Sequence, residues 1–409
     1  MSALLRTVAL TAVCLALGAP CVAAAWDAEQ FDKLLTEGKL AEAAKQADGE
    51  LQANAENEQA RFALGVAQTL SGVERLTQGL YRYGLEPTWA SQLPFVRLPV
   101  PKNPHPEPLT NEAFRKLIAD FAADLATVEK TLAGVKSDEV KLLVRPGAYR
   151  LDFNADGTTD DKESLWRILF RFTGETVRVE DAGQFAIAMD KGDVHWLRGY
   201  SHVLAAMCEM YLAHDTQNLH DRAAQFFFPA AKVKYPFDPP AQEMEWWDDV
   251  ADGVALIHLL NLPVAEPQRM KTAHEHLLAM VDHSRASFAA INAETDDDRE
   301  WIPSPKQKNV AFRAARMSPE MVEGWHAVLK EWEAILKGEK LVPFWRGGEK
   351  GVNVRRIFEE PTTFDLVLWF QGSAAAPYLE EGEQTSPEFW RDIQRGFQGQ
   401  FFWFAIWVN

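Results

Sequence analysis

An all-α fold is what this sequence predicts, on three observations. Apolar residues recur at three- and four-residue intervals through most of the chain, helix-start and helix-stop residues bracket those stretches, and runs of strict apolar–polar alternation are scarce. Hydrophobic residues make up 47% of the 409 positions and aromatics 11%, which is enough to bury a substantial core.

Residues 1–25 have the three-part layout of a secretory leader: Arg6, an apolar run from Val8 to Leu17, then Ala23, Ala24 and Ala25. The folded protein is expected to begin near Trp26 and to be exported, to the periplasm or the cell exterior. The leader's apolar run is too short for a bilayer, and no later stretch reaches the roughly 18 uncharged apolar residues of a spanning helix. No membrane span is expected. Cys21 fits a lipidation pattern poorly, because Pro20 precedes it and Leu17 stands too far upstream. With Cys14 and Cys21 in the leader, only Cys208 is left in the mature chain, so no internal disulfide forms. The net charge of −17, made more negative by loss of Arg6, repels nucleic acid and anionic lipid.

From Trp26 to Glu86 the helical spacing, with Gly38, Gly72 and Gly84 as stops, predicts short paired helices. The small residues Gly38, Ala41, Ala43 and Ala44, then Ala60, Ala63, Gly65 and Ala67, resemble those of tetratricopeptide-like hairpins over fewer than two repeats. That resemblance implies a protein-binding surface on the first helices. Residues 87–109 hold Pro87, Pro94, Pro99, Pro101, Pro104, Pro106 and Pro108, which predicts an extended linker or covering loop and a domain boundary. Residues 110–409 read as a larger irregular helical domain. Thr110 caps its first helix, with Phe114, Leu117, Phe121, Leu125, Val128 and Leu132 on one face. Further helical patterns lie near 163–172, 193–213, 244–261, 267–292 and 319–337, and the aromatic tail from Phe397 to Val408 reads as a buried closing segment.

The most specific motif runs from Asp152 to Glu163 and resembles an EF-hand calcium loop. Ca2+ is a hard cation that takes six to eight oxygens. Asp152, Asn154 and Asp156 supply side-chain oxygens, Gly157 the sharp turn, Thr158 a carbonyl, Asp160 a direct or water-mediated contact and Glu163 both carboxylate oxygens. Pro146 and Gly147 argue against an entering helix, whereas Leu165, Trp166, Ile168, Leu169 and Phe172 mark an exit helix. A second loop to pair with it is missing: the acidic run of Glu294, Asp296, Asp297, Asp298 and Glu300 lacks the central glycine. A lone loop suits a structural ion better than a sensor.

Two other groups carry chemistry. His195, His202 and Glu209 recur every seven residues on one helix face, as a transition-metal site or as polar groups at a packed interface. His274, His276, Asp282 and His283 read as a wet helix face. Trp246 and Trp247 beside Asp248 and Asp249, with Trp301, Trp325, Trp332 and Trp345, could form a carbohydrate cleft or simply a core. Glycine-rich phosphate loops, nucleophile elbows and paired-cysteine metal motifs are absent. The expected function is therefore an exported calcium-binding helical protein whose ion is structural and whose first helices bind a protein. The alternative is a polysaccharide-acting hydrolase or lyase on an α/α-toroid-like fold stabilised by calcium.

Overall fold

Asp27 opens the folded chain: its side chain accepts from Gln30 N at 2.9 Å and starts α1 (Ala28–Thr36). The computed structural model describes residues 26–86, 98–168, 179–236, 246–311, 316–401 and 404–405, so the leader expected at residues 1–25 lies outside the described residues. Gly38, at φ +73°, turns the chain into α2 (Leu40–Ala53), and Asn57 caps α3 (Glu58–Arg82). Gly72 does not stop a helix, as its sequence context suggested, but lies inside α3.

The reason is packing. Gly65, Gly72 and Gly79 form a heptad-spaced stripe against α4 (Asn111–Leu132), and an added Cβ would fall 2.3 Å from Leu132, 3.3 Å from Asp124 and 2.4 Å from Leu117. Each glycine costs about 1 kcal/mol of helix propensity relative to alanine. The close helix contact made possible by the missing side chains outweighs that penalty. Thr110 caps α4 through Ala113 N, as its sequence predicts.

After α4 a short antiparallel pair forms between β1 (Leu142–Val144) and β2 (Ile187–Met189), with Leu142 opposite Met189. Next come α5 (Lys191–Ala213), α6 (Gln217–Phe227), α7 (Trp246–Leu259), α8 (Pro267–Ala293) and α9 (Pro319–Leu336). α10 (Val354–Glu359), α11 (Leu366–Gln371), α12 (Pro387–Gly396) and several two-residue strands complete the described chain. The class is all-α with only small antiparallel strands. No described helix is long and apolar enough to cross a membrane.

The long helices pack in series: α3 on α4, α4 on α5, α5 on α8, and α8 on α9 and α10. One apolar core runs through them from Phe31 to Phe404. A smaller cluster of Leu80, Leu85, Leu109 and Phe228 receives Leu98 and Val100 from the described part of the proline-rich segment, and residues 87–97 lie outside the described residues. At the other end Phe397, Phe401 and Phe404 surround Trp325 with ring centroids 6.4, 6.2 and 5.1 Å away. The described part of the aromatic tail is therefore core. Residues 402, 403 and 406–409 lie outside the described residues.

Leu132 is fully buried where α3, α4 and the main core meet. Leu132→Ala is expected to lower stability by about 2–5 kcal/mol, the range for a large-to-small core change, with an unchanged urea m-value.

Candidate functional site

The loop from Asp152 to Glu163 hangs from a short extended base. Tyr149, Leu151 and Phe153 alternate inward and are fully buried, and Leu151 N donates to Glu163 O at 3.0 Å while Leu165 N donates to Tyr149 O at 2.9 Å. Ala155 at φ 58° and Gly157 at φ +81° bend the tip. The Asp152 carboxylate accepts from Asp156 N at 3.2 Å and Gly157 N at 2.9 Å, which wraps the first half of the loop around it.

The remaining oxygens are also engaged within the loop. Asn154 Oδ1 accepts from Asp156 N, Asp156 Oδ1 from Thr158 N and Oγ1, and Asp160 Oδ1 from Lys162 N. Glu163, 4% exposed, accepts from Phe153 N at 3.0 Å and Asp160 N at 3.1 Å, closing a reciprocal cap with Asp160. The loop carboxylates are thus spread over backbone donors. Among the described residues, the groups whose ligand atoms lie within 4.8 Å of one another are Glu129 with His202 and His283, and Asp190 with Glu294 and Glu300.

The exit from the loop differs from the sequence expectation. A 3-10 turn at Asp161–Glu163 leads to extended Ser164, whose ψ is 134°, before helical turns at 166–168. The capping box consumes the turn where a continuous helix would have begun. Leu169 and Phe172 lie outside the described residues.

Two helices, α1 and α3, and the turn at Gly38 hold the loop, and the sequence motif did not reveal these contacts. Glu74 of α3 accepts from Asp152 N at 2.7 Å, and Gln78 of α3 donates to Asp152 O at 2.8 Å. Arg150 reaches Thr36 O at the end of α1 and the Asp161 carboxylate, while Asp32 of α1 takes Tyr149 Oη at 2.9 Å and Arg145 Nε at 2.9 Å. Thr159 fills the space beside Gly38 at the turn before α2. Burial pushes the Glu74 carboxyl up to about 7, and the charges of Asp152 and Glu163 add to the effect. Burial likewise raises Glu163 above the usual carboxyl range, with Asp152 and Asp160 adding repulsion. The base of the loop therefore concentrates negative charge where burial makes it costly.

A second polar group lies along the α5–α8 seam. The two helices run antiparallel, so His195 meets His283 (Nδ1 to Nδ1, 3.3 Å), His202 meets His276 (Nδ1 to Nδ1, 2.8 Å) and Glu209 meets Arg269 (2.9 Å). Glu209 is thus neutralised by Arg269, and the acid that joins the histidines is Glu129 of α4. Arg198 grips Glu129 through Nε at 3.0 and 3.2 Å and through its terminal nitrogen at 2.6 Å. Burial acts to raise the Glu129 carboxyl, but Arg198 outweighs it and holds the group below its ordinary value. Burial, reinforced by neighbouring cations, pushes His195 and His283 down to about 4, and burial also lowers His202. These rings are neutral at pH 7. His274 is separate, bonded to Leu336 O at 2.8 Å and stacked on Phe358, and Asp282 is exposed.

The third group sits at the N-terminus of α5. Asp190 and Asp193 form a reciprocal cap, and Glu294 and Glu300 face them from beyond α8. Burial raises all four carboxyls, and the charge of Asp190 adds repulsion at Asp193, Glu294, which is pushed to about 8, and Glu300, which is pushed to about 7.

The tryptophans do not form one surface. Trp301 and Trp325 are buried at 5% and 4% exposure, out of reach of any sugar, whereas Trp246 and Trp247 stack on each other in the open at 62% and 59%. The Asp249 side chain lies outside the described residues. No protein-family model, curated protein or solved structure matches this chain.

The carboxyl cluster sets a pH dependence. A carboxyl whose pKa rises on folding contributes stability that is complete below its unfolded value of about 4.5 and disappears as pH rises through its folded value. Urea midpoints of Glu294→Gln and the parent should therefore diverge between pH 5 and 9, the variant gaining on the parent as the pH increases. Parallel pH profiles would contradict this account.

Proposed function

We propose that this chain is an exported calcium-binding helical protein in which the ion is structural and fastens α1–α3 to the rest of the molecule through the Asp152–Glu163 loop. The observation that carries the reading is the crowding of Glu74, Asp152 and Glu163 at the loop base, beneath a tip already bent by Gly157. A divalent cation relieves that repulsion, and the loop supplies oxygens of the hard type that Ca2+ prefers.

Asp152, Asn154, Asp156, Asp160 and Glu163 would hold the ion with their side chains and Thr158 with its carbonyl. Ca2+ would supply charge neutralisation and a fixed centre for the loop. The loop must release some of its present bonds to do so. Each such bond contributes about 0.5–1.5 kcal/mol net, so the affinity should fall in the weak range, on the order of 10⁻⁴–10⁻³ M, of extracellular calcium modules. Calcium outside the cytoplasm is abundant enough to fill a site of that strength.

The staple follows from the loop's neighbours. Asp32, Thr36, Glu74 and Gln78 all touch the segment from Arg145 to Asp161, so ordering the loop also orders its attachments to α1 and α3. A folded-state ligand at ten times its dissociation constant stabilises by about 1.4 kcal/mol, which shifts the melting temperature by a few degrees. Calcium is expected to raise the melting temperature of the parent by that amount, and Glu163→Gln or Asp152→Ala should abolish the increment relative to the same variant in chelator. Titration calorimetry with no calcium uptake at millimolar concentration would overturn the reading.

A further inference from the structure

Three successive polar layers occupy the α5–α8 seam, and one of them is complete in itself. Glu209 and Arg269 neutralise each other. The other two layers each pair two imidazoles across the seam, His195 with His283 and His202 with His276, and one carboxylate, Glu129, faces them.

The hydrogen bonds dictate how those rings are arranged. A short Nδ1–Nδ1 contact between neutral histidines requires one ring to carry its proton at Nδ1 and the other to be bare there. If His202 donates to His276 and His283 donates to His195, both donors expose an unprotonated Nε2. Those two Nε2 atoms are the ones that face Glu129, His202 at 3.8 Å from Oε2 and His283 at 3.9 Å from Oε1. These separations are too long for hydrogen bonds. They approach the spacing of ligands around one ion: metal–nitrogen bonds of about 2.0–2.1 Å in a tetrahedron place neighbouring ligand atoms about 3.3 Å apart. The two pairs to Glu129 each need to close by roughly half an ångström, and all three ligand atoms lie within 4.8 Å of one another.

The surroundings fit the same purpose. An imidazole that ligates a metal through one nitrogen typically donates its other N–H to a fixed acceptor, the role His195 and His276 take here. Arg198 orients Glu129 and leaves lone pairs of the carboxylate facing the rings. Its positive charge opposes a dication, which limits affinity. A cavity of 480 Å³ opens beside Glu129, His202 and His276, walled by Ala119, Ala122 and Ala205, and gives the centre access from outside.

We propose that Glu129, His202 and His283 form a binding site for a divalent transition-metal ion of the zinc type, open to that cavity, with His195 and His276 as positioning residues. Imidazole and carboxylate together favour such ions over Ca2+, which takes oxygen ligands. The proposal is independent of the calcium loop.

The test uses the full chain, stripped with chelator and then supplied with saturating Ca2+ to occupy the loop. Titration with Zn2+ should show one equivalent bound with a dissociation constant below about 10 μM. His202→Gln and His283→Gln should each weaken binding at least tenfold, and Asp152→Ala should leave it unchanged. Co2+ bound to the parent should give visible absorption bands that Zn2+ abolishes. His276→Gln should move those bands while the far-ultraviolet circular dichroism stays constant. If either ligand variant fails to fold, imidazole NMR of the parent decides: Zn2+ must perturb His202 and His283. Uptake that survives both substitutions, a parent that binds no stoichiometric Zn2+, or perturbation confined to exposed His105, His258 and His326 would overturn the proposal.

Discussion

The antiparallel contact of α5 with α8 is the constraint on which the rest of the molecule depends. Gly192 lets the helices approach at the start of α5, since a Cβ there would sit 2.8 Å from Ile291 Cγ1. That approach fixes which residues meet. Because the helices run in opposite directions with heptad-spaced polar positions, His195, His202 and Glu209 must face His283, His276 and Arg269 in turn. The apolar positions between them, among them Val194, Leu197, Ala273, Val281 and Phe288, continue the main core. α8 covers one side of α5 and α4 another, and Glu129 of α4 faces the histidines of the seam.

The same contact sets the electrostatics. Packing three long helices together partly buries their polar seam, so His195 and His283 titrate low and Arg198 holds Glu129 below its ordinary value. At the beginning of α5, Asp190 and Asp193 satisfy the free backbone amides of the first turn, which favours negative charge there, but Glu294 and Glu300 bring more than one helix terminus can accommodate. The calcium loop presents a third version of the problem, with Glu74 supplied by α3. The three acidic sites differ in what stands beside the carboxylates: Arg198 beside Glu129, the reciprocal cap of α5 around Asp190 and Asp193, and the cation proposed for the loop.

Much of the fold was legible in the sequence because helix formation leaves local marks. Thr110 caps the helix that follows it as its sequence predicts, and the apolar spacing located the helices near α5, α7, α8 and α9 within a few residues. Gly72 was misread because local chemistry makes glycine a helix stop, whereas its reason for being in α3 lies on α4, across the contact with Asp124. The exit from the loop was misread for a related reason. Leu165 and Trp166 have helical spacing, but Glu163 is recruited into a cap and Ser164 into the extended base, so helical geometry starts later.

The sequence by itself determined the all-α class, the positions of α5, α7, α8 and α9, the composition of the loop and the heptad recurrence of His195 and His202. Those properties depend on residues a few positions apart, which side-chain periodicity and capping chemistry reveal directly. Only the tertiary structure decided that Glu129 and Arg198 join the histidines, that Glu209 is taken by Arg269, and that Glu74 and Gln78 support Asp152. Each of these pairs spans tens of residues or more along the chain, and their meeting is fixed by helix register, which depends on how whole faces interlock.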